Sequence, residues 1–172
     1  MGSTFEHPCA RCARVQRTCC QRAEIVLTRG DLSRIGTAIG GDDWFTFGAP
    51  SDPGCGVPDP DDPDWVRLTV RPDGTRRVLR RRAGGDCTFL GAHGCVLGEE
   101  TRPLVCRLYP LTYDARALRG VEPEYCPTAL LAPRGESMVD VLGMSRARAE
   151  RWRAQLYAEL RAEAGEDGGQ AP

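Results

Sequence analysis

The 172-residue chain carries 23 basic and 24 acidic side chains, a formal net charge of −1, 6% aromatic residues and nine cysteines, which bounds it to one domain of ordinary size. The near-neutral balance excludes bulk attraction to phosphate backbones, so nucleic acid is not expected as a partner, and the absence of any lysine excludes Schiff-base chemistry and a Walker phosphate loop. No apolar run approaches the ~20 residues of a membrane helix, and the start of the chain lacks the apolar block of a secretory signal, so a cytoplasmic protein without membrane attachment is expected.

In a reducing compartment an odd number of unevenly spaced thiols points to metal ligation rather than a disulfide framework. The first group reads Cys9-x2-Cys12-x6-Cys19-Cys20, and the Cys9/Cys12 spacing lets a tight turn aim two thiolates at one metal. Cys12 and Cys19 share a face if the stretch is helical, while Cys20 points elsewhere. The adjacent pair therefore means two sites sharing this segment, or one ligand beside a buried thiol. Glu24 to Leu27 reads as a short strand leading into a helix from Asp31 to Ile39, with Leu32, Ile35 and Ile39 on one face and Thr28 or Asp31 as its cap. Gly40-Gly41-Asp42-Asp43 stops that helix. Residues 48–64 hold five prolines and five aspartates, a loop composition, and Cys55 within it is left outside the metal sites.

Trp65 to Arg71 alternates apolar and polar residues, Pro72-Asp73-Gly74 signals a turn, and Thr75 to Arg82 is expected to return as the second strand of a β-hairpin. Its arginines, Arg76, Arg77, Arg80, Arg81 and Arg82, read as a solvated face that discourages edge pairing. The second cysteine group follows as Cys87-x7-Cys95-x10-Cys106-x19-Cys126, with Gly84, Gly85, Gly91 and Gly94 giving the backbone room to bend. Pro103 suits the start of a short helix and Pro110 its end, which turns the Cys106 thiol inward. Residues 145–164 form a longer helix capped by Ser145, with Trp152, Leu156 and Leu160 in a stripe that packs on its own domain or binds a partner. Gly165 to Pro172 reads as a disordered tail.

Eight thiols supply two four-thiolate sites, or one with spare cysteines, and both zinc and iron–sulfur clusters accept four cysteines. Ligands arriving singly from distant segments favour a cluster, of the 4Fe–4S type, over zinc. Cys9, Cys12, Cys19, Cys20, Cys87, Cys95, Cys106 and Cys126 are the expected ligands. Arg102 and Arg107 are the expected cofactor contacts, offsetting the charge of a four-thiolate site, ahead of Arg11 and Arg14. His7 and His93 are read as bystanders. No H-E-x-x-H, G-x-S-x-G or G-x-G-x-x-G array is present, and no catalytic residue is assigned.

These blocks resemble the bacterial YkgJ-type cysteine-cluster family, described as a zinc- or iron-chelating domain. The resemblance lies in the C-x-x-C followed by a double cysteine, in Ile25 through Ile35, in Cys87-Thr88-Phe89-Leu90, in Gly94-Cys95-Val96-Leu97, and in Arg102-Pro103 through Cys106-Arg107-Leu108-Tyr109-Pro110. It covers roughly residues 9 to 126. The gap between Cys12 and Cys19 is longer than the family's spacer, and residues 48–64 look like an insertion. The resemblance implies metal binding; a related cysteine cluster in flagellin lysine methylases looks like an iron–sulfur site.

Together these readings predict a small single-domain α+β protein, residues 1–164, with a core over 9–126 and a C-terminal helix over 145–164, organised around cysteine-ligated metal. It would act as an accessory or redox-active protein. The alternatives are a zinc-stabilised module whose C-terminal helix or arginine hairpin binds a protein partner, and a metalloenzyme in a modification or biosynthetic step.

Overall fold

The computed structural model describes residues 8–121 and 126–167. Helices and short antiparallel strand pairs alternate along them, an α+β arrangement closed by one long C-terminal helix. Pro8 fixes a backbone angle suited to a first helical turn, and α1 spans Pro8–Ala13. The chain then turns before α2, the single turn Cys19–Arg22. Cys12 and Cys19 therefore do not share one helical face: Gln21 Oε1 accepts from the Thr18 N–H at 3.0 Å and starts a new helix between them.

Helix α3 spans Arg29–Ile39. Thr28 Oγ1 accepts from the Asp31 N–H at 2.9 Å while Asp31 Oδ2 accepts from the Thr28 N–H at 3.1 Å, a reciprocal cap that uses both predicted residues. Ile35 is buried and Leu32 packs on the same core, but Ile39, at the frayed end before Gly40, is exposed.

The expected hairpin of residues 65–71 with 75–82 does not form. Pro63 starts a helix instead, α4, Pro63–Thr69, because Trp65 and Leu68 satisfy helical i, i+3 spacing as well as strand alternation, and both pack against the C-terminal helix. The returning strand is real, but its partner lies upstream. Strand β1, Phe45–Gly48, pairs antiparallel with β2, Arg76–Leu79, placing Phe45 opposite Leu79 and Gly48 opposite Arg76. On the other edge of β2 the expected 24–27 strand is reduced to a bridge between Val26 and Val78, supported by Leu27 N–H to Arg77 O at 3.1 Å and Leu79 N–H to Ile25 O at 2.9 Å.

The arginine run is a solvated face only in part: Arg80 and Arg82 are exposed, and the other three are drawn inward. Arg76 is buried against the Glu24 carboxylate, and Arg77 reaches Glu163 at 2.9 Å. Arg80 donates to Phe45 O, Arg82 to Thr88 O, and Arg81 to the carbonyls of Gly85, Ala23 and Cys20. The guanidiniums of Arg80, Arg81 and Arg82 thus each donate to backbone carbonyls.

Strands β3, Leu90–Gly91, and β4, Gly94–Cys95, form a tight hairpin whose turn needs Gly94, with φ near +101°. Helix α5 spans Leu104–Leu108 between the two predicted prolines, followed by the antiparallel pair β5, Leu111–Tyr113, and β6, Leu118–Val121. Two single-turn helices follow, α6, Thr128–Leu131, and α7, Met138–Val141. Helix α8 then runs Arg146–Asp167, with Ser145 Oγ accepting from the Arg148 N–H at 3.2 Å. It continues past the expected end at Ala164, so the tail reading is corrected for residues 165–167, and the rest of that tail, residues 168–172, lies outside the described residues.

Three apolar clusters hold these elements. Ile25, Leu27, Ile35, Trp44, Leu79 and Phe89 centre the first. Leu104 and Leu108 of α5 meet Ala149, Trp152, Leu156 and Leu160 of α8 in the second, so the helical stripe packs on its own domain as expected. Cys12, Leu131, Ala132 and Met138 form a smaller third. Among the described residues no helix is long and apolar enough to cross a membrane.

Candidate functional site

Between the first and third clusters lies a cavity of about 520 Å³, and Cys9, Cys12, Cys19, Cys20, Cys87, Cys95, Cys106 and Cys126 all line it. All eight are free thiols. They arrive from α1, α2, the approach to β3, strand β4, helix α5 and the segment before α6. The expectation for Cys55 concerns a side chain outside the described residues; its backbone lies in a 3₁₀ turn, Pro53–Gly56. Among the described residues no three Cys, His, Asp or Glu side chains converge closely enough to hold an ion as they stand.

Local chemistry explains how each thiol is placed. The Cys87 N–H donates to Cys20 O at 2.9 Å, and Arg81 donates to the same carbonyl at 3.2 Å, so α2 is tied to the second cysteine group through backbone. Cys95 is delivered by the β3–β4 turn, opposite Leu90. Cys106 depends on Asp31: this fully buried carboxylate accepts from the Leu104 N–H at 3.1 Å, capping α5, while it also caps α3 and meets Arg34 at 2.7 Å. Arg11 donates to Leu130 O at 2.8 Å and fastens α1 to α6.

The two predicted cofactor arginines part company. Arg102 lines the cavity, its Nε donating to Leu97 O at 3.1 Å, and its charge acts on Cys95, Cys9 and Cys20. Arg107 does not reach the cavity. It is buried beside Trp152, with its guanidinium on Glu100 and its Nε donating to Arg102 O at 2.8 Å, so it acts on the site only by fixing the Arg102 backbone. His93 lines the cavity from the β3–β4 turn, and His7 lies outside the described residues.

Burial pushes the Cys9 thiol up to about 12 and those of Cys87 and Cys126 up to about 11. Cys12, Cys95 and Cys106 are raised by the same cause. Cys20 is the exception, lowered to about 7 because the Cys19 thiol donates to it, with Arg102 favouring its thiolate; Cys19, which keeps the shared proton, is raised. Sequence reading missed the role of Arg81, the second cap that Asp31 supplies to α5, and the cavity-lining Tyr109 and Tyr113. Their partners are remote in the chain, so no local spacing signals them. Family models, curated proteins and solved structures were compared with the chain, and none of them matches it.

Proposed function

We propose that the chain is a cysteine-cluster metal protein whose cavity takes a thiolate-ligated iron–sulfur centre, with zinc as the competing occupant. The observation that carries this reading is that eight cysteines, from segments up to about 117 residues apart, line one cavity. Free cysteines are common in protein interiors, but as scattered small apolar groups rather than as the donors of a single void. The donor set fits the group: thiolates suit zinc and iron–sulfur centres, and the volume is far larger than the ~30 Å³ that one water-sized ion fills. The described thiols do not yet converge, so binding would draw their side chains inward, each losing a proton.

When bound, an iron–sulfur centre would supply one-electron chemistry or a Lewis-acidic iron, and zinc would supply a structural crosslink. This chain's own contribution is the thiol lining, the Arg102 charge beside it, and the backbone ties from Arg81 and Asp31 that hold three ligand segments in place. The resemblance to the YkgJ-type family agrees with this reading. The helix stripe that an interaction module would use is spent on internal contacts, as are Arg76, Arg77 and Arg81 of the arginine run.

The test is anaerobic purification followed by an ultraviolet–visible spectrum and elemental analysis of iron, zinc and sulfide on one sample. Visible absorption with iron and sulfide supports the iron–sulfur reading. A colourless protein with stoichiometric zinc supports the competing one, and a chain that takes up no metal after reconstitution defeats both.

A further inference from the structure

Resting on that reading, we propose that the cavity holds two separate four-thiolate centres, one ligated by Cys9, Cys12, Cys19 and Cys126, the other by Cys20, Cys87, Cys95 and Cys106.

The packing divides the cysteines this way. Cys87 belongs to the first apolar cluster, with Cys20, Cys95 and Cys106 packed against it. Cys12 belongs to the third, and Cys126 packs there with it. The electrostatic neighbours agree for most of them: Cys106 sits in the field of Cys20, Cys87 and Cys95, and Cys126 in that of Cys12, while Cys9 feels Cys20 ahead of Cys126 and Cys12, so Cys20 stands where the two sets meet. The backbone ties agree. Cys87 N–H binds Cys20 O at 2.9 Å, Leu90 N–H binds Cys87 O at 3.0 Å, and Leu90 pairs with Cys95, so three members of the second set share one hydrogen-bonded unit. The Arg11 bond to Leu130 O holds α1, with Cys9 and Cys12, against α6 just beyond Cys126.

Adjacency of Cys19 and Cys20 then follows from geometry rather than redundancy. Successive residues of a helix project about 100° apart, and the two thiols of α2 meet in a hydrogen bond, so the pair stands at the boundary of the two sets with one thiol for each centre. Cys20 is tied to the second set by its backbone bond to Cys87, and Cys19, whose electrostatic neighbours are Cys20, Cys106 and Cys9, is the thiol left to complete the first. Each centre thus receives the four thiolates that closed zinc or iron–sulfur sites use.

Cobalt(II) titration of the reduced, metal-free full-length chain tests the division, because tetrahedral thiolate-bound cobalt gives visible and charge-transfer bands that count sites. The expected end point is two cobalt(II) per chain, falling to one in Cys126→Ser, to one in Cys106→Ser and to none in the double variant. A wild-type end point of one, or loss of both ions with either single substitution, overturns the division while leaving metal binding intact. A wild-type chain that binds no cobalt(II) overturns the division together with the reading beneath it. Circular dichroism checks folding, and Cys12→Ser and Cys95→Ser serve as second members of each set; the wild-type end point decides even where a variant does not fold.

Discussion

Gly30 and Gly36 occupy the same helix, α3, yet replacing each by alanine should have opposite effects. A Cβ on Gly36 meets nothing within 4 Å, so Gly36→Ala should stabilise the protein by about 0.5–1 kcal/mol through helix propensity and a less free unfolded chain. A Cβ on Gly30 would collide with the Glu159 carboxylate. That carboxylate has little room to give, since Arg34 holds it at 2.6 Å, Gln155 at 2.8 Å, and the Thr28 hydroxyl donates to it as well. Gly30→Ala should therefore cost about 1–3 kcal/mol net, the collision outweighing the propensity gain. Urea unfolding midpoints of the two variants check both signs. At this scale the Thr28 and Asp31 cap was legible in sequence because its partners lie three residues apart. The contacts of Glu159 with Thr28 and Arg34 were not, because they join positions about 130 residues apart and no local pattern encodes them.

Helix α8 organises the site from a distance. Leu156 is fully buried against Leu104 and Leu108 of α5, the helix that carries Cys106. Leu156→Ala should lose about 2–5 kcal/mol, measured by chemical denaturation, through lost burial and the cavity left behind. At this scale α5 and α8 could be read from the sequence, one bracketed by Pro103 and Pro110, the other carrying an apolar stripe with a serine cap. Helix α4 could not. The run from Trp65 to Val70 fits both a strand and a helix period, and Pro63, which decides between them, sat in what read as loop. Strand β1 escaped notice because its residues, Phe45 to Gly48, follow a glycine turn without a matching neighbour in sequence; its partner begins 28 residues later.

For the molecule as a whole, the thiol-lined cavity sets a pH dependence. Burial raises Cys9 to about 12 and Cys87 and Cys126 to about 11, above the ~8.5 of an unfolded thiol. A raised value in the fold means that the unfolded chain loses those protons first, so the stability tied to neutral thiols is complete below pH ~8.5 and drains as pH rises toward 11 and 12. The metal-free protein should show a midpoint of unfolding that falls across that window, in thermal melts run under reducing conditions. The metal-loaded protein, whose ligands are already thiolates, should lack that fall and instead lose stability toward acid, where protons compete with metal. The cysteine spacing picked out the eight thiols that line the cavity, but which thiols neighbour which depends on apolar clusters that only the folded chain assembles.

One wall of the cavity is built from α1, α6 and α7, helices of six, four and four residues joined by the smallest of the three apolar clusters. The opposite wall rests on α5 and the 22-residue α8. Segments with so little buried contact open locally at far lower free energy than the rest of a fold. Opening on the side of Leu131 and Met138 should therefore be the easiest route into the thiol-lined cavity, seen as faster amide hydrogen exchange in α6 and α7 than in α8.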